Sequence, residues 1–495
     1  MEQAKLSKAT VSKLRSKVIK IPEYNRDEIK VGIFHFGVGN FHRAHQALIM
    51  DSLFGMGLCK DYGICGVGVL PQDAKMRDVL KEQDYLYTCI EKSSNGDFNY
   101  RIIGSIIDYM FVPDNVNAVI ERLCTSDAKI ITLTITEGGY NINPLTNEFD
   151  LLNVQHDLKN PSNPKTAFGI VVEALRRRKE RNLKGFTILS CDNLQENGKM
   201  AKKAFHSYAI ALDTELADWM LENVTFPNSM VDRITPVTTE DDRKHVHEKL
   251  GLVDGWPVVC EDFIHWVIED HFVDGKRPQF EKHSAVQIVQ DVEPYELMKL
   301  RIINAGHQAI AYFGMLLDYK YVHDVTRHES IANFLNSYMD KEATDTLKPV
   351  PGVDLMKYKA KTVERFQNPN ILDTLMRLAF DGSDRVFKFV IPVIVDRVKA
   401  GQSIYLSTAI VASFAKYLNG QSGTGKPIEV VDRAKAKLAV LNGKLLKDPT
   451  MIKHESELFG DIVSNPEFVR VFKEIYDKIG DCGSEATLKW LVDMK

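Results

Sequence analysis

Short apolar runs rich in β-branched residues recur through the first half of the chain, at residues 31–36, 63–69, 129–135, 186–191, 230–234 and 285–289. Longer amphipathic stretches lie between them, among them 41–54 and 166–179. Strands that alternate with helices predict a mostly parallel sheet covered by helices. From about Pro294 the texture changes. Residues 295–317, 329–339, 371–380, 407–418 and 434–441 carry helical periodicity, and strand-like alternation nearly vanishes. The expected division is an α/β, sheet-bearing domain over 1–290 and a mostly α-helical domain over 291–495. No internal repeat or low-complexity tract interrupts this order.

Chemistry enters at the end of the leading strand. Residues 31–36 run into Gly37-Val38-Gly39-Asn40-Phe41-His42, and a helical stretch follows. Strand, glycine turn and helix N-terminus together make a dinucleotide site. The glycines permit a tight turn and close backbone approach, and the helix N-terminus offers free N–H groups to a pyrophosphate. The third glycine of G-x-G-x-x-G is absent, with His42 in its place, so the motif alone also fits an ordinary strand–turn–helix. Its place on the first strand of an alternating region favours the dinucleotide reading, and with it a Rossmann-type parallel sheet. The second strand ends in Leu70-Pro71-Gln72-Asp73. An acid there binds ribose hydroxyls and repels a 2′-phosphate, which favours NAD over NADP. Asp73 lies further along than the usual ~20 residues, and Lys75 and Arg77 follow as cations able to accept a phosphate, so NADP is the second choice. His35, His42 and His45 straddle a strand end and a helix start without a carboxylate at ligand spacing, and no metal is expected there.

The 495 residues are 44% hydrophobic, 26% charged and 9% aromatic, ordinary globular values that set aside disordered, collagen-like and coiled-coil readings. Lys+Arg number 63 and Asp+Glu 67, a formal net charge of −4. Such a chain lacks the broad basic field that nucleic-acid binding draws on. Nothing approaches about 18 consecutive apolar residues, so no membrane span is expected. Cysteines stand at 59, 65, 89, 124, 191, 260 and 482, no two at C-x-x-C spacing. That argues against a structural zinc lobe and a disulfide scaffold, and fits a reducing, cytoplasmic setting. The basic start of the chain is helical in character but lacks the apolar core of a secretory signal; organelle targeting is the alternative.

The most informative stretch is YELMKLRIINAGHQAIAYFG, residues 295–314. It is apolar enough to be buried. Yet at about 100° per residue, Glu296, Lys299, Asn304 and His307 fall within an arc of roughly 140°. Burial disfavours a charged lysine, and a lysine shifted toward neutral can act as a general base. An amide and an imidazole on the same face can hydrogen-bond an alkoxide or carbonyl oxygen. The alternative is a helix edge whose polar residues face solvent, for which the long apolar continuation leaves little room. Two look-alikes are set aside. Tyr295 and Lys299 form the Y-x-x-x-K of short-chain dehydrogenases, but the T-G-x-x-x-G-x-G start of those proteins is missing and Pro294 puts Tyr295 in the first turn. Residues 420–426, GQSGTGK, look like a P-loop, yet Pro427 stands where Ser or Thr should and the segment follows a helix, so a surface turn is expected.

FHFGVGNFHRAHQ, ICGVG, QDYLYT, SCDN, NSMVDRITP, YELMKLRIINAGH and DGS, in this order over nearly the whole chain, resemble the polyol-specific long-chain dehydrogenases. FHRAH is that family's own variant of the turn, which accounts for His42. The resemblance implies an NAD(P)-dependent, zinc-independent interconversion of a polyol and a ketose, D-mannitol and D-fructose first, by a monomer or weak oligomer. It implies a cofactor-binding set of Phe36, Gly37, Val38, Gly39, Asn40, Phe41, His42, Arg43, Asp73 and Glu137. It implies Lys299 as general base, Asn193 and Asn304 as an oxyanion pair, His307 as a ligand of a substrate hydroxyl, and Glu296 as a relay between Lys299 and solvent. Asp232 and Arg377 are implied as substrate-binding. Where relatives commonly carry lysine shortly after DGS, Arg385 stands here, bulkier and unable to deprotonate. A hexuronate reductase, whose substrate carries a carboxylate that wants a further cation, is therefore an alternative, as is an arabinitol dehydrogenase. A nucleotide sensor with catalysis lost is a different class, disfavoured by the complete lysine–asparagine–histidine set.

Overall fold

Five strands pair side by side, all of them parallel. In chain order β1 is Val31–Phe36, β2 Gly63–Gly68, β3 Ile106–Phe111, β4 Ile130–Leu133 and β5 Thr187–Ser190. Across the sheet they run β3-β2-β1-β4-β5. This is the order of a Rossmann-type fold, in which connections turn back between β1 and β4 and open a crevice at the carboxyl ends of the strands. β1 and β2 are buried at every position, as strands covered on both faces must be. Phe34, Phe36, Ile131, Leu133 and Ile188 belong to one core, shared with Val116–Leu123, Ala167–Glu180 and Asn197–Leu212. Ile33, Ile64, Ile130 and Leu189 belong to another, shared with the helix Gln46–Gly55. The structure, a computed structural model, describes residues 4–11, 13–14, 18–143 and 148–494. The basic N-terminal segment lies partly outside these; within it Lys8–Val11 forms one helical turn.

The sheet region is less uniform than its apolar runs suggest. Ser229–Asp232 and Val286–Val289 do not join β1–β5. They flank His265–Glu269 in a separate three-stranded sheet, antiparallel on one side and parallel on the other. A four-stranded mixed sheet holds Val258–Glu261, Tyr87–Lys92, Phe98–Ile103 and Ile19–Lys20. The predicted helix 41–54 is two helices, Asn40–Ala44 and Gln46–Gly55, broken at His45 (φ −119°, ψ −91°).

The chain divides into two compact units, Met1–Val292 and Glu293–Lys495. The second is helical. Its predicted helix 371–380 shortens to Leu375–Ala379, because Thr374 caps it by accepting from the Arg377 N–H. Pro466–Asp493, kinked at Gly483, is a long helix beyond those predicted. Phe468, Val471, Phe472, Ile475 and Ile479 form its buried face at helical spacing. Among the described residues no helix is long and apolar enough to cross a membrane.

Candidate active site

β1 ends at Phe36, and Gly37 takes φ +91°. A Cβ there would lie 2.1 Å from the Thr134 carbonyl oxygen, so only glycine lets the turn pass so close to the end of β4. The Gly37 carbonyl accepts from Thr134 Oγ1 at 2.7 Å, and the His35 ring bridges Thr132 Oγ1 at 2.8 Å and Thr134 Oγ1 at 2.9 Å. Gly39 is different. A Cβ there would meet only the Gly37 oxygen, at 3.7 Å, so a space beside the backbone is left open.

What this turn presents is backbone. Asn40 Nδ2 donates to the Pro236 carbonyl at 3.2 Å and to Thr238 Oγ1 at 3.3 Å. Arg43, fully buried, donates to Asn40 Oδ1 at 2.7 Å and to the Trp256 carbonyl, and lies over the Tyr87 ring. His42 is buried and stacked on His35 with centroids 3.4 Å apart. Burial pushes the pKa of His42 well below the ordinary value, and those of His35 and His45 down to about 3. Phe36 is buried, and Val38 and Phe41 pack against the core. Of the side chains expected as cofactor contacts, His42 and Arg43 are buried behind the turn and Asn40, half-buried, is engaged by Pro236, Thr238 and Arg43.

After β2, Asp73 Oδ2 accepts from the N–H groups of Val69 and Leu70, both at 2.9 Å. Of the cations behind it, Arg77 is bound to Asp78 and Asp114, each at 2.8 Å, and the Lys75 ammonium lies 5.2 Å from the Trp256 ring centroid. Glu137 opens a short 3-10 turn, Glu137–Tyr140, just beyond β4. Asn193 is exposed just beyond β5. Cys191 beside it is buried, and burial pushes its thiol well above the ordinary range, the behaviour of a packing residue rather than a reactive one. Asp232, buried, ends its strand paired with His265.

In the C-terminal unit the predicted helix 295–317 has a discontinuity. Glu293–Lys299 and Ala305–Leu316 are α-helical, and Leu300–Asn304 between them is a π-turn, in which the Ala305 N–H donates to the Leu300 oxygen five residues back. The extra residue resets the helical wheel. On a straight α-helix Asn304 would sit about 140° and His307 about 80° round from Lys299. With one residue absorbed by the wide turn they come to about 40° and −20°. Glu296 is at about 60°, so the four share an arc of roughly 80° rather than the 140° expected. Glu296, Lys299 and Asn304 are 5, 7 and 8% exposed. From Leu300 to Leu316 every residue is buried except half-buried His307. A solvent-facing helix edge is thereby excluded.

The His307 ring stacks on Phe366 with centroids 4.2 Å apart. Its buried Nε2 has no hydrogen-bond partner. Burial holds its pKa at about 3; Arg377, Arg365 and Arg385 add to the effect and Asp373 opposes it. Arg377 grips Asp373 with Nε and Nη2, each at 2.5 Å. The half-buried Arg385 side chain makes no hydrogen bond or ion pair among the described residues, and burial together with Arg377 lowers its pKa. Tyr295 donates to the Pro351 carbonyl at 2.8 Å, which commits its hydroxyl elsewhere than Lys299. Residues 420–426 form a turn closed by the Ser422 N–H on the Lys426 carbonyl. Among the described residues no group of three or more His, Cys, Asp or Glu side chains is placed to hold a metal ion.

The mannitol dehydrogenase Rossmann domain matches residues 31–282, and the mannitol dehydrogenase C-terminal domain matches residues 291–480. Mannitol 2-dehydrogenase of Aspergillus fumigatus is 42% identical over 483 residues, 96% of this chain and 95% of that one. A mannitol dehydrogenase of Saccharomyces cerevisiae is 41% identical over 501 residues, 99% of each chain. Among solved structures, Pseudomonas fluorescens mannitol 2-dehydrogenase in a ternary complex with NAD and D-mannitol matches with a TM-score of 0.88 and 40% identity, covering 99% of this chain and 100% of that one. A D-sorbitol dehydrogenase in substrate-free form matches with a TM-score of 0.90 and 36% identity, over 98% and 100%. A Rossmann-type unit followed by a helical unit, with likeness of this extent, defines a polyol dehydrogenase. The chain belongs to the mannitol dehydrogenase family.

Proposed function

We propose that this protein is an NAD-dependent, zinc-independent dehydrogenase that interconverts D-mannitol and D-fructose. The observation that carries the reading is the stripe formed across the π-turn: one buried lysine with Glu296, Asn304 and His307 on a narrow face of a buried helix. D-Mannitol and the cofactor draw support from the Pseudomonas fluorescens relative, whose structure is a ternary complex with NAD and D-mannitol.

The glycine turn fits a dinucleotide. The open space at Gly39 leaves room for a pyrophosphate, which the backbone of Gly37, Val38, Gly39 and Asn40 would hold. Asp73 would take ribose hydroxyls, and Phe41 and Glu137 complete the set. Arg77, committed to two aspartates, is poorly placed to welcome a 2′-phosphate, which supports NAD over NADP. When bound, NAD supplies the hydride acceptor.

The chain's own residues handle the proton and the oxygen. Lys299 takes the proton from the hydroxyl on the reacting carbon, and Glu296 passes protons between Lys299 and solvent. Asn193 and Asn304 donate to that oxygen as negative charge develops. His307, neutral by burial, can both donate to and accept from an adjacent hydroxyl and so orient the carbon. Asp232 and Arg377 bind further hydroxyls. In the reductive direction Lys299 returns the proton to the oxygen. In this reading, deprotonation by lysine replaces what a zinc Lewis acid does elsewhere. The scattered free cysteines support a cytoplasmic protein, which we take to act as a monomer or weak oligomer.

One observation favours a second reading. The Arg385 side chain is a half-buried cation that forms no ion pair among the described residues, although Asp381 and Asp384 lie near enough to act on it, and a hexuronate carboxylate could use such a cation. Initial rates decide between the two: NAD or NADP with mannitol, arabinitol and sorbitol, then NADH with fructose and fructuronate. Mannitol and fructose should show the highest kcat/KM, with NAD preferred. A preference for the uronate overturns the first reading.

A further inference from the structure

β4 and β5 lie side by side, and the segments leaving their carboxyl ends are tied by one carboxylate. Asp192, two residues past β5, is 7% exposed. Its Oδ1 accepts from the Thr136 N–H at 2.8 Å, and its Oδ2 accepts from the Ile135 N–H at 3.1 Å and the Tyr140 hydroxyl at 2.7 Å. The Tyr140 oxygen also lies 2.6 Å from Ser190 Oγ. Thr136 stands at φ +62°, ψ 169°, a conformation that a β-branched residue holds only when its surroundings over-determine it. From behind, the fully buried Asn197 amide donates to the carbonyls of Asp192, at 3.0 Å, and of Ser229, at 2.8 Å. Its oxygen accepts from the Ser229 N–H at 2.8 Å. Glu137 directly follows Thr136, and Asn193 directly follows Asp192. The Asp192 side chain is thus spent entirely on holding one turn against the other.

We propose that Asp192 is a positioning residue for the reaction: it fixes the turn carrying Asn193 against the turn carrying Glu137, at the edge where parallel α/β sheets bind ligands, and so pre-aims the Asn193 amide at the developing alkoxide. A donor already in place stabilises charge without reorganising, and a misplacement of about 1 Å can cost on the order of 10²-fold in rate. The proposal rests on Asn193 being an oxyanion donor.

Asp192→Asn preserves size but leaves one oxygen for three donors. It should lower kcat about 10- to 100-fold, with the KM for mannitol and the Kd for NAD within about threefold and Tm within a few degrees. Tyr140→Phe removes one donor only and should give a smaller fall with the same split, a readout that survives if Asp192→Asn does not fold. Asn193→Ala and the double variant complete the cycle. Positioning through Asn193 predicts that the double variant is scarcely worse than Asn193→Ala alone. Additive losses, or a fall in kcat matched by equal losses in Tm and NAD affinity, overturn the proposal. Unchanged kcat in Asn193→Ala overturns the oxyanion reading itself, and the positioning role with it.

Discussion

The N-terminal unit builds its candidate site from main chain, whereas the C-terminal unit builds its own from side chains. Around Gly37 and Gly39 the side chains of His42 and Arg43 are buried, and that of Asn40 is engaged within the fold. Along 296–307 polar side chains are instead concentrated on one face of a buried helix. On the proposed function, the difference follows from what each would hold. A pyrophosphate is met by N–H groups, which every residue carries, so the constraint falls on where a Cβ is allowed. A proton and an alkoxide need particular functional groups, so the constraint falls on identity and register.

The sharpest way to break this contrast is Lys299→Ala. Turnover should fall by about 10²–10⁴-fold, while NAD affinity, measured by titration, stays close to that of the parent. Near-parental turnover would remove the lysine from the mechanism.

The glycine turn should show the reverse sensitivity. Gly37→Ala places a Cβ against the Thr134 carbonyl at a positive φ and should cost about 1–3 kcal/mol of stability in denaturant unfolding. Gly39→Ala meets nothing nearer than 3.7 Å; it should leave stability nearly unchanged and weaken NAD instead. Equal destabilisation by the two would show that backbone approach is not what separates them.

The smallest effect concerns acid. His35, His45 and His307 have folded pKa values of about 3, and that of His42 is also well below normal. Between about 3 and the ordinary 6.5 the unfolded chain binds more protons than the folded one, so stability falls as pH drops through that window. Between pH 7 and 6 each such histidine contributes less than about 1 kcal/mol. Three of these four lie in Met1–Val292 and one in Glu293–Lys495. Hydrogen exchange of the slowest amides, corrected for intrinsic rates, should therefore lose more protection on acidification in the first unit. Equal or greater loss in the second would contradict the assignment.

Much of this was legible in the sequence, for identifiable reasons. β1 and its turn are plain because a strand apolar but for His35 runs into glycines. The arc of Glu296, Lys299, Asn304 and His307 is plain because polar residues are rare in that helix. The direction of the Arg43 and Asn40 side chains is not legible, since the Trp256 and Pro236 carbonyls that receive them lie about two hundred residues away. The strands Tyr87–Lys92 and Phe98–Ile103 escape notice because Glu91, Lys92, Asn99 and Arg101 dilute their apolar alternation. Asp192 sits in full view within SCDN, yet its role depends on what leaves the neighbouring strand. The π-turn has no sequence mark at all, so a wheel drawn at a uniform pitch spreads the site too widely.

That wide turn gears the helix. Glu296 and Lys299 stand in one register, and Asn304 and His307 stand in another, one residue out of step. Such a joint cannot slip by a few degrees. It can only skip a tooth of about 100°, by losing or gaining a single residue. Substitutions can therefore exchange the groups on either side for other chemistry, but the angle between the two halves of the site changes only when the chain changes length.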